Sequence, residues 1–336
     1  MTDTPDSPAV QPTGARGGIL ASPWPRLLLV GVAFGAWYFL FPSYLTLGIT
    51  LMLLAGWASA WDLLGGWSGQ ASLGHAAFVG LGAYTVAITA SRFDLAPWWS
   101  ALLAMGFAAI LAFLWGRLTF GLRGSYFVLS TIAIAEILRL VAINERQLTG
   151  GAVGIFIFSL KEPFGLDLFS RHVEFWLSLG YMLLVMVVVA LVTRGRLGYQ
   201  MRAVREDEAS AQAAGINPIS VKSWAFIISG ALTALGGTIY GIFLSALQPL
   251  PMFELHLSVR IALVAIIGGR GTLFGPLIGA ALITLASELF RTTFAQANLL
   301  IYGLLIVLVV LFMPRGILGE IERRIVRRRY AKSTRG

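Results

Sequence analysis

Glu136 and Arg139 stand three residues apart inside the apolar run "YFVLSTIAIAEILRLVAI". At that spacing they share one face of a helix and can pair. A paired charge inside an apolar helix either borders a polar route through a membrane or bridges two helices. Ser130 and Thr131 precede the pair in the same run. A second group, Gln70, Ser72 and His75, sits in the glycine-rich stretch "GGWSGQASLGHAAFVGLGAY" at 65–84. Polar side chains at the start of an apolar span need internal partners or a water-lined path. They either border such a path or satisfy exposed backbone in a tightly packed helix start. A third group, Arg202, Arg205, Glu206, Asp207 and Glu208, opens the segment "RAVREDEASAQAAGIN" at 202–217.

None of these is a catalytic constellation. His75, His172 and His256 are scattered, and neither H-E-x-x-H nor G-x-S-x-G occurs. No cysteine is present, which excludes disulfides, cysteine-held metal and thiol catalysis. No P-loop is present either, so the chain does not bind ATP through one. No catalytic residue, metal ligand or cofactor is therefore expected, and the chain is not expected to be an enzyme.

The elements that must position these groups follow from composition. The chain is 57% hydrophobic and 12% charged over 336 residues, with 38 glycines. Its mean hydropathy is +0.79. Such a chain is a polytopic membrane protein, all-α, a transmembrane helical bundle. About ten spans are expected, at 26–41, 43–62, 70–91, 97–116, 124–143, 174–193, 222–245, 257–269, 273–290 and 298–314. The first and eighth are shorter than a full crossing, so they are tilted, broken or partly re-entrant.

The net charge of +9 is distributed for a membrane and not for nucleic acid. With the N-terminus inside, 18 of the 25 Lys and Arg fall on the cytoplasmic side and five outside, while Arg139 and Arg260 lie within spans. That bias places both termini in the cytoplasm, with an even number of crossings. Residues 1–25, rich in Pro, Gly, Ser and Thr, read as a disordered cytoplasmic segment and not as a signal peptide. Residues 26–316 make the membrane domain. The tail at 317–336, with "RRIVRRRY", reads as a basic cytoplasmic anchor or as a contact with a partner or anionic lipid.

The charged segment cannot lie in the bilayer. Its five charges would cost roughly 2.5–3.5 kcal/mol each at mid-bilayer, over ~12 kcal/mol together, with no long apolar side chains to offset them. Ala209, Ala211, Ala213 and Ala214 favour a helix of about 12–16 residues, with Gly215 as its stop and Asn217-Pro218 closing it. A capped helix with a small-residue face suits docking, although a solvated linker would carry the same charges. Downstream, "GGRGTLFGPLIGA" at 268–280 resembles "GQASLG" at 69–74, pairing Gly69 with Gly269, Ser72 with Thr272 and Leu73 with Leu273. If real, the repeat is parallel, since both copies lead outward from the cytoplasmic side.

Four stretches together resemble one family over about residues 43–316. They are "GQASLGHAAFVGLGAY", "LRGSYFVLSTIAIAEILRL" with "LTGGAVGI", "GYQMRAVREDEASAQAAGIN", and "AIIGGRGTLFGPLIGA". The family is the permease subunits of ABC importers for branched-chain amino acids, of the larger of the two paired permease types. The resemblance implies that 199–217 is a cytoplasmic coupling helix entering a groove on an ATPase subunit, with Arg202, Arg205, Glu206, Asp207, Glu208 and Gly215 as its coupling residues. It implies a second permease subunit in a heterodimer, a periplasmic substrate-binding protein facing the external loop at 144–173, and a place in the cell inner membrane. Gln70, Ser72, His75, Ser130, Thr131, Glu136 and Arg139 are the candidates for the substrate path. Urea and short-chain amide permeases share these motifs, so they stay open as an alternative. A stand-alone ion-coupled transporter is the alternative of another class, for which Asp62, Glu136 and Glu288 could serve.

Overall fold

A computed structural model describes residues 22–121, 125–158, 160, 165, 167–293 and 316–318. The molecule is a helical bundle, as its hydropathy requires, because a helix satisfies its own backbone in lipid. The first helix, α1 (Pro23–Leu40), starts where Ser22 caps the Trp24 amide and Pro23 takes the first helical position. Residues 23–25 are therefore helical, three residues ahead of the expected boundary. Residues 1–21, the tenth expected span at 298–314 and the tail beyond 318 lie outside the described residues.

The next helix, α2 (Leu45–Asp62), runs on through a π turn at Leu63–Trp67. It is followed by α3 (His75–Phe93), α4 (Pro97–Thr119), α5 (Ser125–Asn144) and the single turn α6 (Arg146–Thr149). A long helix, α7 (Arg171–Arg194), leads to α8 (Arg196–Glu206) and α9 (Glu208–Ala213), after which α10 (Pro218–Leu244) returns. The chain closes its described part with α11 (Pro249–Phe253), α12 (Leu255–Gly268) and α13 (Gly275–Thr293). Seven segments among the described residues are long and apolar enough to cross a membrane, and Gly275–Leu289 is a shorter apolar helix. The short eighth span proves to be broken. Glu254 ends α11 and starts α12, and together they make the 20-residue segment Pro249–Gly268.

At the centre stands α2, buried on every side from Leu51 to Asp62. It packs against α7, α10, α12 and α13. Further dense seams join α10 to α3 and to α4, the closest approach being with α3. There the backbones touch, since a Cβ on Gly82 would overlap the Ala234 carbonyl and one on Gly237 the Val79 carbonyl. Small residues allow this approach, which supplies the packing that drives helix association in lipid. By contrast, α4 and α5 present apolar side chains outward, among them Phe107, Ile110, Leu129 and Ile137. A two-residue antiparallel pairing, β1 (Ile155–Phe156) with β2 (Ala246–Leu247), pins the loop after α6 to the end of α10.

Candidate translocation and coupling sites

The glycine-rich stretch folds into a loop that hands α2 over to α3. The Gln70 amide donates to the Leu64 carbonyl at 2.9 Å, and Trp61 Nε1 donates to the Ser72 carbonyl at 2.7 Å. Ser72 and His75 are wholly buried. His75 Nε2 lies 2.8 Å from Ser229 Oγ, and Ser229 Oγ donates its hydrogen to the Ala60 carbonyl at 2.6 Å. Ser229 must therefore accept from His75, which places the imidazole hydrogen on Nε2. Nδ1 is left as an acceptor, and the Ser72 hydroxyl at 3.2 Å donates to it. One directed chain of hydrogen bonds thus ties the start of α3 to α10 and α2. Two further bonds hold the same helix start: the Ala76 amide to Ser258 Oγ on α12 at 2.8 Å, and the Leu73 amide to Thr131 Oγ1 on α5 at 3.0 Å. Of Gln70, Ser72 and His75, Gln70 borders the groove described below.

On α5 the Glu136–Arg139 pair forms as the spacing predicts, with Arg139 Nε 2.8 Å from Glu136 Oε2 and a second contact from Nη2. The Glu136 side chain is 49% exposed. Ser130 bonds back to the Phe127 carbonyl, and Thr131 is fully buried. The structure does not bring this pair to Gln70, Ser72 and His75.

The charged segment is a helical unit outside the bundle, but two helices replace the single one expected. Asp207 adopts an extended backbone (φ −159°, ψ 118°) and caps α9 by accepting the Ser210 amide at 2.6 Å. Its own cap preference breaks the helix, because an Asp side chain competes for the backbone donors that a continuous helix would use. The bond from Ser210 holds the Asp207 carboxyl below the usual carboxylate range. Gly215 ends α9 as expected. It is left-handed at φ +80°, its amide donates to the Gln212 carbonyl and that of Ile216 to Ala211. This is the Schellman pattern, which a residue with a side chain rarely adopts. Asn217 then opens α10 by accepting the Ser220 amide, with Pro218 at the first helical position.

Met201, Val204 and Ala211 face inward and seat the unit on the bundle. Lys222 at the start of α10 pairs with Glu208. Arg202 donates to the Gly198 and Thr193 carbonyls and lies over the Tyr199 ring at 4.7 Å. Outward, a groove of about 550 Å³ is bordered by Gln70, Phe120, Arg205, Glu206, Asp207 and Glu208, among others.

Sequence reasoning missed the joint beneath this unit. The Asp62 carboxylate, 1% exposed, accepts the Gly271 amide at 3.0 and 2.9 Å. Arg205 Nη1 donates to the Gly66 carbonyl at 2.9 Å, and a Cβ on Gly271 would come within 2.5 Å of the same nitrogen. A Cβ on Gly66 would overlap the Asp62 carboxylate. Three segments distant in sequence therefore meet at one point: the end of α2, the α12–α13 loop and α8. The two similar loops also share a local device, since Ser72 Oγ accepts the Gly74 amide and Thr272 Oγ1 the Gly275 amide. An apolar span ending in a buried aspartate, followed by paired glycines, was the signal available in the sequence.

A bundle of membrane-crossing helices with a capped, charged helical unit at one end defines a membrane permease subunit. A family profile described as "Branched-chain amino acid transport system / permease component" matches residues 27–311, and the chain belongs to that family. It is similar to the high-affinity branched-chain amino acid transport system permease protein LivM of Escherichia coli (strain K12), 29% identical over 324 residues, covering 89% of this chain and 73% of the relative. LivH of Salmonella typhimurium is 28% identical over 170 residues, 50% of this chain and 54% of the relative. The ribose import permease protein RbsC of Haemophilus influenzae is 36% identical over 91 residues, 26% of this chain and 28% of the relative. The long match to LivM places the chain with the larger permease type. No solved structure matches it.

Proposed function

We propose that this chain is the larger permease subunit of an ATP-binding-cassette importer for branched-chain amino acids. The observation that carries the reading is the α8–α9 unit, a capped helical pair that turns three carboxylates toward an open groove and is anchored by Arg205 to the π turn at the end of α2. Such a unit suits a soluble motor that pushes on the bundle from the cytoplasm. Arg202, Arg205, Glu206, Asp207, Glu208 and Gly215 shape it. A second permease subunit covers the exposed face of α5, because lipid cannot solvate the Glu136–Arg139 pair. That face, with Ser130, Glu136 and Arg139, borders the substrate path, and Gln70 stands at its cytoplasmic end. Ser72, His75 and Thr131 hold the helices that flank it. A periplasmic binding protein delivers the substrate, and the subunit lies in the cell inner membrane with both termini cytoplasmic.

The test is reconstitution in liposomes with ATPase subunits, a second permease and a binding protein. ATP-dependent uptake of L-leucine is expected, with none under an ion gradient alone. Uptake by this chain alone on an ion gradient would sink the reading, and uptake of urea or acetamide in place of leucine would move it to the amide permeases.

A further inference from the structure

At the end of α2 remote from the coupling joint lies a second cavity, of about 330 Å³, between α2, α12 and α13. Thr50 and Thr46 border it, roughly 18–24 Å along the helix from Asp62. Much of its wall is polar, which is unusual inside an apolar bundle: Arg260, Thr284, Ser287, Glu288 and Arg291 line it too. Two of these groups have no hydrogen-bond partner among the described residues. Thr284 is 3% exposed, and neither its hydroxyl nor the buried Arg260 Nε meets a partner among the described residues. The carboxylate in the wall, Glu288, is engaged by Arg291 at 2.7 and 3.1 Å. Arg260 stands mid-way along α12, and no salt bridge of its own is found among the described residues.

We propose that this cavity is a binding subsite, separate from the α5 face, that holds a zwitterionic aliphatic amino acid by its carboxylate, with Arg260 as the anchor. The proposal rests on the importer reading and narrows its substrate. A guanidinium in a membrane-spanning helix needs an anion, and a carboxylate accepts from both the guanidinium and the Thr284 hydroxyl. The Glu288–Arg291 pair can share its carboxylate with the ammonium group. Leu47 and the Tyr44 ring supply the wall for the aliphatic chain. The volume suits one small solute. Urea or a short amide would leave Arg260 without a counter-charge, so the cavity separates the two substrate classes that the motifs leave open.

The chain contains no cysteine, so Ser287→Cys in the reconstituted complex introduces a single thiol in the cavity wall of this subunit. Its alkylation by a small maleimide is timed with L-leucine, with 3-methylbutylamine, which lacks the carboxylate, and with urea. Leucine is expected to slow alkylation and the other two are not. Arg260→Gln should raise the leucine concentration for half-protection about tenfold or more, the loss of one charge-assisted pair. Arg260→Lys should restore part of it, and copurification with the partner subunits reports that each variant has assembled. Equal protection by the amine, or protection unchanged in Arg260→Gln, overturns the subsite. So does the absence of protection in a complex that imports leucine, which leaves the importer reading standing. A complex that imports urea and not leucine overturns both.

Discussion

Replacing Arg205 with alanine removes one bond of 2.9 Å to the Gly66 carbonyl, yet it cuts the hydrogen bond that ties the α8–α9 unit to the end of α2. Gly66 is buried, so its carbonyl loses an acceptor interaction that water cannot readily replace. A hydrogen bond from a charged donor contributes about 1.5–3 kcal/mol. The Arg205 side chain is itself exposed, and solvent screening brings the net effect down to about 1 kcal/mol. The bundle should therefore assemble, since Met201, Val204 and the Lys222–Glu208 pair still seat the unit. Coupling is a different matter, because about 1 kcal/mol in a two-state equilibrium changes the population ratio by roughly fivefold. The assay is uptake per ATP hydrolysed in the reconstituted complex, with and without loaded binding protein. Arg205→Ala should hydrolyse ATP with weakened stimulation and a several-fold lower uptake per ATP, and Arg205→Lys should recover part of it. An unchanged ratio in a fully assembled Arg205→Ala complex would refute the transmission of motion through this joint.

Three further outcomes are expected. Ala211→Pro removes the amide that bonds to the Asp207 carbonyl and should cost about 3 kcal/mol of local helix stability, abolishing substrate-stimulated ATP hydrolysis while membrane insertion stays normal; near-normal stimulation would make α8–α9 a passive linker. The Asp207 carboxyl is held low in the folded chain, so its capping contribution is present above the ordinary carboxylate range and is lost as pH falls below it; proteolysis at 207–215 should rise on acidification, and Asp207→Asn should flatten that rise. His75→Leu takes the acceptor from the buried Ser72 hydroxyl and the donor from Ser229 Oγ, and should lower the stability of the complex by about 1–3 kcal/mol, seen as a lower Tm; an unchanged Tm with slowed uptake would instead make His75 a path residue.

How much of this was legible in the sequence varies with distance along the chain. Helix content and approximate spans were, because lipid requires every backbone group to be satisfied within its own segment and so writes the requirement into local hydropathy. The same holds for the Gly215 stop and the Glu136–Arg139 pair, whose partners lie within five residues. The break at Asp207 was written in the sequence as well, since Asp followed three residues later by Ser allows a cap, but alanine-rich flanks pointed to one continuous helix. What the tertiary structure decided are contacts between residues far apart. Asp62 and the Gly271 amide are 209 positions apart, Arg205 and the Gly66 carbonyl 139, and His75 and Ser229 154. No periodicity or spacing encodes such pairs, because a polar group entering a span reads alike whether it faces a path or a partner. Packing made His75 a brace, turned Asp62 toward a backbone amide and left Arg260 without a salt bridge among the described residues, since each outcome depends on what the neighbouring helices place opposite it.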